Sequence, residues 1–447
     1  MSGSSGVAAP PRPAPPPAPR MPSPFSLPLH ALRLLGRCGL ALALWFSAGE
    51  LIRFGLLYAA TEVAYGDFRQ VRLVIMTTLL TLVVLAGMTV VTGMLHSLRG
   101  ALWETRARAA EGAADEPFFT ALDRVAPAFT VLYLAWGFQV EDARDLVQMD
   151  VFHHIFDLTD AALFGEESRV GQVFIDIDWR VSAGTMVAAF GLKTLFAKLV
   201  ERGGGRFYGF AAAFSEFAFV FYGLNATFAL AQARTEWVEH RAVVSGAEEA
   251  LTSARKNVAV VEAVASALGE VWPLLLGAVA LPLVWLTVAM LVFGTYADDT
   301  RTMVSGTRFE RGVDRLEGSH ALTRQSVNRL TGGFQERWVP LVNSLRLIVK
   351  GGAPLFGMMC LCHVAVTVGA QYADRAVRTL IGSQVEWTWF YLGAPVSFVR
   401  DLLVTTVTMA LLAAAFDLAA TRARLRGEAF TAGSAASSGA APESSAV

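Results

Sequence analysis

The chain has 447 residues, of which 54% are hydrophobic and 17% charged, and its formal net charge is −1. Soluble domains carry about 25% charged residues, so this deficit, with a mean hydropathy of +0.46, excludes a disordered chain, a coiled coil and a nucleic-acid binder, which needs a basic surface. Three cysteines exclude a disulfide-stapled secreted scaffold.

Apolar residues in such excess belong in lipid-spanning runs. A helix needs about 20 apolar residues to cross roughly 30 Å of hydrocarbon, because every backbone polar group must be satisfied within the segment. The expected fold is all-α: a polytopic transmembrane bundle of about eight spans, with N and C termini cytoplasmic. Arginine outnumbers lysine 33 to 4 and alanine is abundant. Both mark a GC-rich bacterial genome, so the expected location is a bacterial plasma membrane.

Residues 1–32 form a Pro-rich cytoplasmic tail, with ten of the eighteen prolines before residue 30. It is expected to be disordered or polyproline-like. Spans one to three occupy 33–140: Cys38–Thr61, Leu73–Leu95 and the shorter Val125–Val140, which reaches full length only by extending back to Phe118. Residues 141–178 are an acidic outer loop with ten acids against two arginines. Spans four and five, Val181–Val200 and Phe207–Ala233, fall in 179–234, and Lys193 and Lys198 of the former can snorkel to an interface. Residues 235–270 alternate apolar and charged positions at helical spacing and read as outer amphipathic helices.

Span six fills 271–297, kinked at Pro282, which removes a backbone hydrogen bond. A basic cytoplasmic loop follows at 298–350, whose Phe334, Trp338, Leu341, Leu345 and Ile348 make the apolar stripe of an interfacial helix. Spans seven and eight, Gly351–Ala373 and Trp387–Phe416, lie in 351–420, with Gly352 and Pro354 as a hinge at the entry to the seventh. Residues 421–447 are a second disordered cytoplasmic tail. With this topology 24 of the 37 basic residues fall inside, 11 outside and two within spans, which obeys the positive-inside rule. No internal repeat is evident.

The functional clue is six ionisable residues within the spans: Glu50, Arg53, Glu216, His363, Arg400 and Asp401. A charge in hydrocarbon costs a few kcal/mol, so such residues face the bundle interior and pair. Glu50 and Arg53 share a helical face at i,i+3. They are expected to cross-pair with Arg400 and Asp401 in an outer layer. Glu216 and His363 each lie roughly 15 Å deep by helical rise. They are expected to form a mid-membrane pair able to exchange protons near neutral pH.

Two lesser metal candidates stand beside this. Cys360, Cys362 and His363 gather soft donors, but residues two apart on a helix face different ways. Outside, Asp150, His154, Asp157 and Asp160 approach one helical face next to His153, a pattern that a solvated acidic helix shares.

The sequence contains no P-loop, zincin motif or nucleophile elbow, so no catalytic residues and no cofactor are assigned. Two functional classes follow. One is a transporter, permease or channel-like protein that works through the ionisable layer. The other is an accessory or scaffold subunit that moves nothing. The partners expected are the lipid bilayer and either further copies of the chain or other membrane subunits, with no nucleic acid.

Overall fold

The computed structural model describes residues 21–65, 68–111, 117–136, 138–165, 170, 179–202, 208–223, 276–293, 352–382 and 386–425. About 94% of them are helical and none is in a strand. The expected helices at 235–270 and 298–350 and both tails lie outside the described residues, apart from 21–32 and 421–425.

Ser23 opens the first helix by accepting from the Phe25 amide, and a 3-10 turn at Pro24–Ser26 leads into α1, Leu27–Val63. Helix α2, Arg69–Leu98, runs back along it. Its threonines are tolerated in an apolar span because Thr77, Thr78, Thr81 and Thr89 each donate to the carbonyl four residues earlier. Two glycines let the pair close up. A Cβ on Gly49 would lie 2.5 Å from a Val90 methyl, and one on Gly93 would lie 2.6 Å from the Trp45 ring. Only glycine permits this approach.

A 3-10 turn at Arg99–Ala101 leads into α3, Trp103–Ala110. Next come α4, Phe118–Trp136, and α5, Phe138–His153. The helix expected at Val125–Val140 thus begins at Phe118 and ends at Trp136, and a new helix starts at Phe138, just before the expected acidic loop. Helix α6, Ile155–Phe164, ends on Gly165, whose φ of +74° lies in the left-handed region that glycine adopts freely. Helix α7 covers Trp179–Glu201 and α8 covers residues 208–223.

The described part of the segment expected as span six is a π-turn at Leu276–Ala280 running into α9, Leu281–Phe293. The irregularity that Pro282 demands is taken up by widening the turn before it. Helices α10, Ala353–Ile381, and α11, Glu386–Leu425, form a long hairpin. Gly352 and Gly382 bracket α10 with φ of +95° and +86°.

Helix α1 lies between α2 and α11; α9 packs on α4, α2 and α11, while α10 packs on α11. Their shared core includes Leu42, Leu85, Met88, Val292, Leu412 and Phe416, all at 2% exposure or less. Among the described residues, five helices are long and apolar enough to cross a membrane: Pro24–Val63, Gln70–Ala101, Ala183–Val200, Ala353–Ile381 and Tyr391–Leu425. Leu40, Leu44, Leu51 and Phe54 of α1, and Phe190 and Leu195 of α7, are more than half exposed. Patches of this kind are costly in water and ordinary in lipid.

At 37 residues, α1 is roughly 55 Å long, well beyond the hydrocarbon thickness. Its charged and histidine residues fall on either side of the apolar stretch Gly39–Phe46, with His30, Arg33 and Arg37 before it and Glu50, Arg53 and Glu62 after it. His30, in its second turn, meets Asp417 near the end of α11 at 2.8 Å, so the first and last helices begin and finish at the same end of the bundle.

Candidate functional site

A cavity of about 270 Å³ opens where α1, α2, α4, α5, α9 and α11 converge. Its apolar wall includes Met94, Phe129 and Trp285, and its polar groups are Glu50, Arg53, Tyr133, Glu141, Asp142 and Asp145. The Arg53 guanidinium donates through Nη2 to Asp142 at 2.5 Å and to Asp145 at 2.6 Å. Asp142 also accepts from the Tyr133 hydroxyl. Asp142 and Asp145 stand at i,i+3 on α5, so one guanidinium can hold both. Burial pushes the Asp142 carboxyl up, and the Arg53 charge pulls part of that rise back. Glu50 lines the same cavity one turn before Arg53, and its carboxylate makes no hydrogen bond or ion pair among the described residues. Among the described residues, four carboxylates and one guanidinium line the cavity, and the guanidinium is spent on two of the four.

Just beyond the end of α1 a second cluster continues this layer. Asp150, fully buried, accepts from the Tyr65 hydroxyl at 2.9 Å and lies 3.2 Å from His154 Nδ1. Tyr65 and His154 rings touch at 4.1 Å, and His153 reaches Glu62 at 3.0 Å. Burial and the Asp150 carboxylate push the Tyr65 phenol up, so it stays a donor at any physiological pH. Asp157 and Asp160 are exposed on α6.

At the opposite end of α1, Asp417 is fully buried and saturated with donors. Its Oδ2 takes His30 Nε2 at 2.8 Å and the Trp103 amide at 2.9 Å, while Oδ1 takes the Glu104 amide at 2.8 Å. A helix N-terminus presents unpaired amides and a positive dipole end. Here the cap of α3 comes from 314 residues away. The His30 ring stacks on Trp103 at 4.0 Å. Glu104, also buried, holds Arg108 at 2.9 Å and Arg424 at 2.8 Å.

The six residues expected within the spans divide among separate sites. Glu50 and Arg53 share the cavity, but Arg53 is paired with α5 in place of α11. Arg400 and Asp401 pair with each other at 2.8 and 3.1 Å, so the expected cross-pairing gives way to contacts each helix finds nearer. Glu216 of α8 is joined to Lys193 of α7 at 3.0 Å; the lysine expected to snorkel has an anionic neighbour instead. His363 is buried on α10. Cys360 and Cys362 are free thiols, half-buried on the same helix. Among the described residues, no group of three or more His, Cys, Asp or Glu is placed to hold a metal ion, and this applies to the His154/Asp157 set as well.

Three functional-looking residues escaped the sequence reading: Asp142, Asp145 and Asp417. Asp417 had a signal, since it is the lone acid in the run Ala413 to Ala420, one residue past the boundary drawn for span eight. Asp142 and Asp145 were hidden among ten acids of one loop.

Compared with protein-family models, curated proteins and solved structures, the chain matches none.

Proposed function

We propose that this is a multi-pass protein of a bacterial plasma membrane, with about eight spans and both termini cytoplasmic, acting as a transporter, permease or channel-like protein for a proton or small cation. The observation that carries the reading is the cavity at the convergence of six helices. It holds Glu50, a carboxylate with no ion pair among the described residues, beside an Arg53 already engaged by Asp142 and Asp145. Such a carboxylate can accept and release a proton, or attract a cation, without breaking a structural contact. The Glu216–Lys193 ion pair makes a poorer relay, because moving its proton means dissolving the pair. Support for the common cytoplasmic side comes from His30 and Asp417 meeting at one end of the bundle, together with the inside excess of arginine.

The accessory-subunit reading has one specific support, the saturated Asp417 cluster, which is built to hold helices still. Reconstitution into liposomes separates the two. With a pH-sensitive dye and imposed ion gradients, wild type should conduct. Glu50→Gln should lose at least tenfold of that flux, and Glu216→Gln should retain most of it. Absence of wild-type flux under every gradient, with correctly inserted protein, transfers the assignment to the accessory class.

A further inference from the structure

Helices α10 and α11 splay apart over part of their length. The groove between them has a volume of about 540 Å³ and is lined by Gly369, Ala370 and Ala373 on one side and Pro395, Leu403 and Val404 on the other. Small residues and an intrahelical proline deny the two helices side chains with which to fill the gap. Leu403 and Val399, both on the groove wall, are 58% and 52% exposed. The groove is therefore open at its side, and in a membrane its solvent is lipid.

Its charged groups are not distributed at random. Asp374 and Arg400 both line the groove, and their neighbours Arg378 and Asp401 complete two ion pairs at 2.8 Å. Within the pairs, valences are left over. Asp374 receives Arg378 on Oδ2, while its Oδ1 accepts no hydrogen bond among the described residues. Arg400 spends Nε and Nη2 on Asp401, and its Nη1 makes no hydrogen bond among the described residues. Along α11, Arg400 precedes Asp417 by 17 residues, roughly 25 Å of helix. Asp417 belongs to the polar cluster at one end of the bundle. With about 30 Å of hydrocarbon to cross, Arg400 stands at the headgroup boundary of the opposite leaflet. Leu403, Val404 and Val407 continue from it into the apolar layer.

We propose that this groove binds one phospholipid of the leaflet at the Arg400 end, with a primary-amine headgroup of the phosphatidylethanolamine type. One acyl chain lies along Leu403, Val404 and Val366, the phosphate meets Arg400, and the ammonium meets the Asp374 carboxylate. The four charges of the site cancel, so it favours a ligand with one charge of each sign over a net anion. An ammonium with N–H bonds can donate to Asp374, which a quaternary choline cannot.

The test is native mass spectrometry of the full chain in detergent, titrated with dioleoyl-phosphatidylethanolamine, -choline or -glycerol. Wild type should retain one ethanolamine lipid about tenfold more strongly than either of the others, the discrimination a charge-assisted hydrogen bond supplies. Asp374→Asn should keep the bound lipid and lose the headgroup preference. Leu403→Trp or Val399→Trp, each placing an indole in an open wall, should lose the lipid whatever its headgroup. Equal retention of the three lipids by wild type overturns the proposal. So does a preference that survives Asp374→Asn, or a lipid-free dimer in which a second copy fills the groove.

Discussion

The two polar clusters at the ends of α1 are made from similar residue types and differ in how completely they are matched. At the His30 end, Asp417 has zero exposure and three donors, one from a side chain and two from the first amides of α3. At the Arg53 end, Asp142 and Asp145 divide one guanidinium, and Glu50 lines the cavity with no ion pair among the described residues. A buried carboxylate given three donors is a fixed point, because any movement strands several polar groups at once. A cavity with more carboxylates than cations keeps charge in reserve and can take up a proton or cation at small structural cost. Along one helix, therefore, one end is built to hold and the other to exchange.

Breaking the holding end should give the largest effect. Asp417→Ala strands the His30 imidazole and two amides of α3 inside the protein, at about 3–5 kcal/mol. The full chain in detergent should show its greatest loss of melting temperature with this substitution, and Asp417→Asn, which keeps an acceptor, should lose less. Wild-type melting of Asp417→Ala would mean that α3 does not depend on its distant cap. Next in size is the seam between the clusters. Gly93→Ala sets a methyl 2.6 Å from the Trp45 ring, an overpacking worth about 1–3 kcal/mol. Gly87→Ala on the same helix meets nothing within 4 Å, so it should be neutral or slightly stabilising. Equal melting of the two glycine variants would refute the close approach of α1 and α2.

The sequence could be read for helices far better than for pairings, and the reason is range. Apolar runs declare a span locally, so Leu73–Leu95 falls inside α2 and Cys38–Thr61 inside α1. Pro282 likewise announced an irregularity, though its form, a π-turn ending two residues upstream, is set by neighbours. The ends were less legible. Helix α11 runs nine residues beyond Phe416, because Asp417, Arg422 and Arg424 end the apolar run without ending the helix. Pairing is a property of rotation about helix axes, which the sequence does not carry. Arg53 could therefore be placed in the outer half of span one, while its partners on α5 could not be chosen over Asp401. Glu50 and Arg53 were found by depth alone. Asp417 was missed because its partners lie more than 300 residues away.

The exchanging end should respond more gently, since its groups are partly exposed. Arg53 retains 30% exposure and Asp145 47%, so Arg53→Met is expected to cost about 1–2 kcal/mol after screening. Arg53→Met with Asp142→Asn should cost less than the sum of the two, because they remove one interaction.

The smallest effect is on pH dependence, and its sign distinguishes this end most sharply. Burial holds the Asp142 carboxyl above its ordinary range in the folded chain, so between the unfolded and folded values the folded state binds more protons. The contribution of Asp142 is then present in full below its unfolded value, about 3.9. It is lost as pH rises through the folded value. As pH falls from 8 towards 5, wild type should gain melting temperature relative to Asp142→Asn, whose amide does not titrate. A gap that stays constant, or moves the opposite way, would show that Arg53 and Tyr133 outweigh burial and hold Asp142 as a simple structural anion. The two ends of α1 would then be clusters of one kind, distinguished only by Glu50.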